Sequence, residues 1–289
     1  MSSTENKFIL IINCPDKEGI IASVSNFLFK RNFNILESSQ FKDTKNNQFF
    51  MRVCFTNINS IRKFRYTQLK TEFKIISKKF NMKFNFYDMS KKQKVLIMVS
   101  KFGHCLNHIL YQWKTGSLNC EIPLIISNHS DMKEIANLYK IKYNILNINK
   151  TNKVYQEKKL YNLIEKNKID LVVLARYMQV LSPDICKVLE GKIINIHHSF
   201  LPSFKGARPY NQAFLQGVKI IGATAHYVTE KLDEGQIIEQ DVARVDHTKT
   251  LDNFISIGRD IENLVLKNAI NWHLDRRIII NENRTIVFN

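Results

Sequence analysis

At 289 residues, 44% of them hydrophobic and 24% charged, the chain has the composition of an ordinary globular protein and length for two domains, each able to bury a core. No run approaches the ~18 consecutive apolar residues of a membrane span, and the short apolar stretch 8–12 follows the acidic Glu5, unlike a secretory leader. The net charge of +17 (43 Lys and Arg less 26 Asp and Glu) is dispersed, much of it in Lys/Asn/Ile-rich sequence such as 140–153, so it reads as solvated surface that steers anions rather than as a nucleic-acid footprint.

In chain order, residues 8–13 predict a strand, and Pro15-Asp16-Lys17-Glu18-Gly19 a turn with Asp16 as the expected helix N-cap. Ile20, Ile21, Val24, Phe27 and Leu28 then recur at helical spacing. Residues 34–41 and 48–55 read as strands around a turn rich in Asp, Lys and Asn, 66–80 as an amphipathic helix and 82–87 as an alternating strand. This βαββαβ order over residues 1–88 fits a ferredoxin-like domain. The apolar residues of 8–12 and Phe49-Phe50-Met51 leave that sheet an apolar face beyond the one its helices cover, which predicts a homo-oligomer, at least a dimer, held through this domain.

Residues 90–94 are polar and aperiodic and read as a linker. Strands at 95–99, 122–126, 144–146 and 171–174 alternate with helices at 105–113, 131–139 and 155–166. That alternation predicts right-handed crossovers and a Rossmann-like, mostly parallel sheet for residues 94–289. A short helix from Pro183, a strand ending at Asn195, a helix at 210–216, strands at 220–228 and 236–245, a long helix at 251–274 and a hairpin within 277–288 complete the chain. The five cysteines (Cys14, Cys54, Cys105, Cys120, Cys186) are widely spaced and include no CxxC pair, as expected of buried thiols in a reduced, cytoplasmic chain. No His/Cys/Asp cluster has ligand spacing, so neither a metal nor a cofactor is expected.

The chemistry concentrates after residue 192. An apolar run reaches Asn195-Ile196-His197-His198-Ser199-Phe200-Leu201-Pro202-Ser203-Phe204-Lys205-Gly206, the way an α/β protein delivers polar groups at the carboxyl end of a buried strand. Asn195 and His197, two residues apart on extended chain, share a side, and His198 faces the other way. Asp233 follows in Leu232-Asp233-Glu234-Gly235-Gln236-Ile237-Ile238. An amide, an imidazole and a carboxylate suffice for acyl transfer to water: two hold an oxyanion and the third deprotonates the nucleophile.

These motifs resemble the 10-formyltetrahydrofolate hydrolase and transferase group. The doubled His197-His198, Gly206-Ala207-Arg208-Pro209-Tyr210 and Gly222-Ala223-Thr224-Ala225-His226-Tyr227-Val228 resemble the formyltetrahydrofolate deformylases in particular. The resemblance spans the chain and implies hydrolysis of 10-formyltetrahydrofolate to tetrahydrofolate and formate, supplying formate for purine synthesis and balancing one-carbon folate pools. It assigns Asp233 as base, His197 and Asn195 to the formyl oxygen, and residues 172–181 to the pterin. Arg176, Tyr177, Met178, Val180 and Leu181, with His226, are thus the expected folate-binding residues. His226 has two readings, orienting Asp233 or ordinary core burial. His198 is expected to stand behind the reacting groups or to exclude bulkier co-substrates, while Lys205 and Gly206 shape the loop.

The turn at 15–19 resembles that of the amino-acid-binding ACT domain. A small effector, glycine or methionine, held at the helix amino terminus, and a purely assembling domain with Asp16 as cap are equally compatible with it. The alternative activity is formyl transfer to a small amine. Ser100-Lys101-Phe102-Gly103-His104 holds one glycine and a bulky Phe where the transferases resembled carry a glycine-rich phosphate loop, which favours water. A folate or amino-acid sensor without turnover is the third reading, and the intact Asn195, His197 and Asp233 oppose it. Neither nucleic acid nor membrane is an expected partner.

Overall fold

The computed structural model describes residues 7–57, 66–149, 151–202 and 209–289. They form two compact units. The first comprises the described residues up to Lys91 with Asp275–Ile279 and Phe288–Asn289, and the second comprises Lys92–Leu274 with Ile280–Val287.

The first unit runs β1 (Lys7–Pro15), α1 (Ile20–Phe29), β2 (Phe33–Asp43), β3 (Gln48–Asn57), α2 (Tyr66–Phe80) and β4 (Lys83–Asp88). Its four strands lie in the order β2-β3-β1-β4, every described pairing antiparallel, which is the ferredoxin-like arrangement the sequence predicts. An aromatic cluster fills it: the Phe73 ring meets Phe27, Phe84 and Phe86 edge-on at centroid distances of 5.0, 4.8 and 5.4 Å.

Three local expectations change here. Asp16 does not cap α1. Gly19, at φ 83°, is the N-cap, and the Asp16 carboxylate instead pairs with Lys42 Nζ at 2.7 Å. The expected linker shortens, because Gln93 and Lys94 already belong to the next strand. The apolar face is not left open: Phe49, Phe50, Met51, Val53, Cys54 and Phe55 are all buried within the chain. Part of the cover is the chain's own tail, where Arg52 donates to the carbonyls of Asp275 and Arg276 and Arg277 pairs with Glu37. Those bonds draw tail residues into the first unit, so the second is not the continuous 94–289 segment expected. Leu36 and Phe41, on strand β2, stay exposed.

The second unit continues β5 (Gln93–Val99), α3 (His104–Lys114), β6 (Cys120–Ser127), α4 (Lys133–Leu138), β7 (Lys142–Ile145), α5 (Lys153–Asn167), β8 (Leu171–Leu174) and α6 (Pro183–Val188). After these come β9 (Ile193–His197), α7 (Pro209–Leu215), β10 (Ile220–Tyr227), β11 (Ile237–Arg244) and α8 (Leu251–Leu274), with β12 (Ile278–Asn281) and β13 (Arg284–Val287) as the terminal hairpin. The seven-stranded order is β11-β10-β9-β8-β5-β6-β7, parallel from β9 to β7 and antiparallel at β9/β10 and β10/β11. The runs of β5, β6 and β8 are apolar on both faces because helices cover both, as parallel sheets require. From β5 the chain winds outward through β6 and β7, then returns to place β8 on the other flank of β5. The carboxyl ends of β5 and β8 therefore frame a switch point, where open α/β sheets take ligands.

The loop after β9 is tied to β10 by one hydroxyl. Fully buried Thr224 Oγ1 donates to the Ser199 carbonyl at 2.9 Å and accepts from Leu201 N–H at 3.0 Å and Gln240 Nε2 at 2.9 Å, which uses its whole bonding capacity. Lys205 and Gly206 lie outside the described residues. Replacing Thr224 by Val keeps the shape but strands the Leu201 N–H, so stability in urea should fall by about 1–3 kcal/mol; an unchanged midpoint would show that the loop is held by other means.

Candidate active site

Strand pairing builds the site. In the antiparallel register of β9 with β10, Asn195 stands opposite His226 and His197 opposite Thr224. Directly opposed side chains on one face of such a pair are neighbours, and Asn195 Nδ2 lies 3.2 Å from His226 Nε2. His226 Nδ1 is 2.8 Å from the Tyr227 carbonyl, an acceptor only, so Nδ1 carries the proton. Burial pushes the His226 pKa down and keeps the ring neutral, which leaves Nε2 as a lone-pair acceptor. Asn195 must therefore turn its NH₂ group to His226. This chain of donors settles both the tautomer and the amide orientation.

Asp233 comes from the loop between β10 and β11. Its φ of 55° is left-handed, and two residues on Gly235 passes so close to β10 that a Cβ would fall 1.6 Å from the Tyr227 oxygen. Only glycine fits there, and the tight crossing returns the carboxylate over the strand. Asp233 Oδ2 lies 3.3 Å from His197 Nδ1 and Oδ1 lies 3.8 Å from His226 Nε2. The hydrogen bond from His197 outweighs burial and holds the Asp233 carboxyl below the ordinary aspartate range. His197 Nε2 is buried and has no hydrogen-bond partner among the described residues, while Nδ1 faces the Asp233 carboxylate.

His198 is also buried, its ring between those of His197 (5.3 Å) and Tyr210 (6.1 Å). Burial, reinforced by the nearby charge of Arg176, pushes its pKa down to about 3, so it is a neutral wall. Asn195, His197, His198, His226 and Asp233 all line one cavity of about 260 Å³ together with Arg176, Tyr177, Met178, Val180 and Leu181. Every expected site residue among these is thus brought to a single cleft, and His226, which the sequence left undecided, touches both Asn195 and the neighbourhood of Asp233.

Sequence reasoning missed Ser100. Its N–H donates to the Arg176 carbonyl at 3.3 Å, and its Oγ accepts from Met178 N–H at 3.0 Å while donating to Asn128 Oδ1 at 2.6 Å. The loop after β5 thereby braces the 176–181 wall. The signal was only a serine at the end of a central strand, a common residue at a turn. His104, Cys105 and Glu262 offer donor atoms within 4.8 Å of one another among the described residues. Their carboxylate already receives His104 and Tyr210, and the Arg176 cation beside it opposes a second positive charge. All five cysteines are free and buried, and burial raises each thiol pKa. No described helix is long and apolar enough to cross a membrane.

Comparison with known proteins adds four facts. Residues 93–270 match the family described as formyl transferase. The chain is 45% identical over 286 residues to the formyltetrahydrofolate deformylase of Bacillus subtilis, covering 99% of this chain and 95% of that protein. A crystal structure of a formyltetrahydrofolate deformylase from Pseudomonas syringae superposes with a TM-score of 0.95 at 41% identity, covering 100% of this chain and 96% of that one. A glycinamide ribonucleotide transformylase from Symbiobacterium toebii reaches a TM-score of 0.65 at 25% identity over 71% of this chain and 98% of that one.

Gly235→Ala tests the crossing on which the carboxylate depends. The added methyl has to displace the backbone of β10 or of the loop, so turnover should fall at least about tenfold and unfolding should come earlier, by roughly 1–3 kcal/mol. A variant with wild-type kinetics and stability would contradict the placement of Asp233.

Proposed function

Since the chain belongs to the formyltetrahydrofolate deformylase family, we propose that it hydrolyses 10-formyltetrahydrofolate, with Asp233, His197 and Asn195 as the groups that act on the formyl carbon. The products are tetrahydrofolate and formate. The observation that carries the reading is the convergence of one ionised carboxylate, one imidazole N–H and one oriented amide on a cleft whose other wall is residues 176–181. A volume of about 260 Å³ falls just under the ~300–1,000 Å³ usual for whole small-molecule sites. The reacting end of a folate fits inside, and its acidic tail leaves through the mouth.

The steps balance without further reagents. Asp233 accepts a proton from a water molecule as the water oxygen bonds to the formyl carbon. The formyl oxygen becomes an oxyanion. Asn195 keeps one N–H on His226 and has its second for that oxygen. The His197 Nδ1–H, which at rest lies on Asp233, turns to the same oxygen once Asp233 has taken its proton and lost its charge. Collapse breaks the bond from carbon to N10. The proton held by Asp233 passes to that nitrogen, and the formic acid released loses its own proton to solvent. Neutral His226 acts on Asn195 rather than on substrate, and neutral His198 closes the wall beside His197.

Transfer to an amine has less support. The Ser100 N–H, where a phosphate loop would begin, is spent on the Arg176 carbonyl, and Gly103 packs against the Met132 side chain. Supply of formate for purine synthesis follows from the activity as a consequence for the cell, and glycine or methionine remains the proposed effector class at the turn before α1.

Asp233→Asn preserves size and removes the base, so turnover should fall about 10²-fold or more while folate still binds. Near-wild-type formate release by the variant would remove Asp233 from the role of base. Since the folded-state pKa of Asp233 is depressed, its contribution to stability is present above the ordinary aspartate pKa of 3.8 and is lost as pH falls through the lower folded value. The stability gap between wild type and Asp233→Asn should accordingly be constant near neutrality and close only below about pH 4.

A further inference from the structure

Behind the cleft, one buried carboxylate ties four segments together. Glu262, on α8, is 1% exposed. Its Oε2 lies 2.9 Å from His104 Nε2, at the start of α3, and 3.4 Å from Arg176 Nε; its Oε1 accepts from the Tyr210 hydroxyl, on α7, at 2.7 Å. The Tyr210 ring can lie flat on α8 only because residue 258 is glycine: a Cβ there would meet the ring at 2.1 Å. Burial works against ionising Glu262, but the His104 hydrogen bond and the Arg176 charge outweigh it and keep the carboxylate below the ordinary glutamate range. None of these contacts takes part in the chemistry of Asp233.

The position of Arg176 gives the carboxylate its purpose. Arg176 is the first residue of the folate-facing wall, and its φ is 63°, a conformation strained for a residue that bears a side chain. Strain of that kind persists where the surroundings over-determine it. Here the Ser100 N–H holds the carbonyl of Arg176, and the Glu262 carboxylate lies 3.4 Å from its Nε as an ion pair without a hydrogen bond, on a side chain 10% exposed. A buried guanidinium deprived of its carboxylate is strongly disfavoured and moves toward solvent. Movement of Arg176 displaces Tyr177 and Met178, which follow it in the wall.

We propose that Glu262 is a positioning residue for folate binding, acting through Arg176 to hold the 176–181 wall in its binding conformation. The inference rests on the deformylase reading. It predicts a separation in the kinetics: loss of Glu262 loosens substrate binding and leaves the Asn195, His197 and Asp233 chemistry nearly intact.

A double-mutant cycle tests it. Glu262→Gln should raise KM for 10-formyltetrahydrofolate about tenfold with kcat within about threefold of wild type. Arg176→Gly removes the charge while glycine adopts the positive φ freely; it should raise KM similarly, and adding Glu262→Gln to it should change KM by less than about twofold. A Glu262→Gln enzyme with unchanged KM, or one whose KM rises by the same factor with and without Arg176, would overturn the proposal. If Glu262→Gln does not fold, Glu262→Asp takes its place in the cycle: a raised KM with retained kcat that disappears in the Arg176→Gly background supports the proposal, and a KM that is unchanged, or that rises by the same factor with and without Arg176, overturns it. The same ratios read as Kd for the unreactive 5-formyl isomer keep the test separate from the activity. Tight binding without formate release in the wild type would sink the deformylase reading, whereas Kd values indifferent to both substitutions would sink only this one.

Discussion

The site depends on one constraint: a carboxylate has to stay ionised while most of its surface is buried. Desolvation alone drives such a group to its neutral form. The chain meets the constraint by pairing Asp233 with the Nδ1 of His197, 3.3 Å away, and by keeping the other two imidazoles of the cleft uncharged. Several charged rings in one cleft would repel one another. With the His197 Nδ1 beside it and neutral rings at 198 and 226, Asp233 stays ionised at neutral pH.

Everything that places this pair is a backbone feature. The register of β9 on β10 brings His226 against Asn195, and the lone glycine at 235 lets the loop recross β10 so that Asp233 returns to the same edge. Thr224, with all of its hydroxyl capacity used, fixes the loop that begins at Ser199. On the opposite wall Ser100 and Glu262 hold Arg176 in a conformation few L-residues adopt. Both sides of the cleft are braced in this way, and preorganised donors can act on a developing charge without first reorganising.

Much of this was legible in the sequence. The apolar runs of β5, β6 and β8 have no alternation, which is the mark of strands covered on both faces, and α2, α8 and β8 lie where periodicity puts them. Asn195, His197 and Asp233 could be singled out because their motifs are long. The losses have physical causes. Asp16 looks like an N-cap, but Gly19 takes the left-handed conformation that starts α1, and Lys42 claims the carboxylate. The apolar face of β3 looks open because no local pattern shows that the last residues of the chain return to Arg52. Ser100 and Glu262 act over separations of 76 and 86 residues from Arg176, and no spacing rule reaches that far.

Hydrolysis in this cleft requires water as the nucleophile. The direct measurement is incubation of the purified chain with 10-formyltetrahydrofolate in ¹⁸O-labelled water, with no amine present. Tetrahydrofolate and formate should appear in equal amounts, with one labelled oxygen in each formate. Release of formate only when an amine is added, or formyl transferred to the amine with no label incorporated, would contradict it.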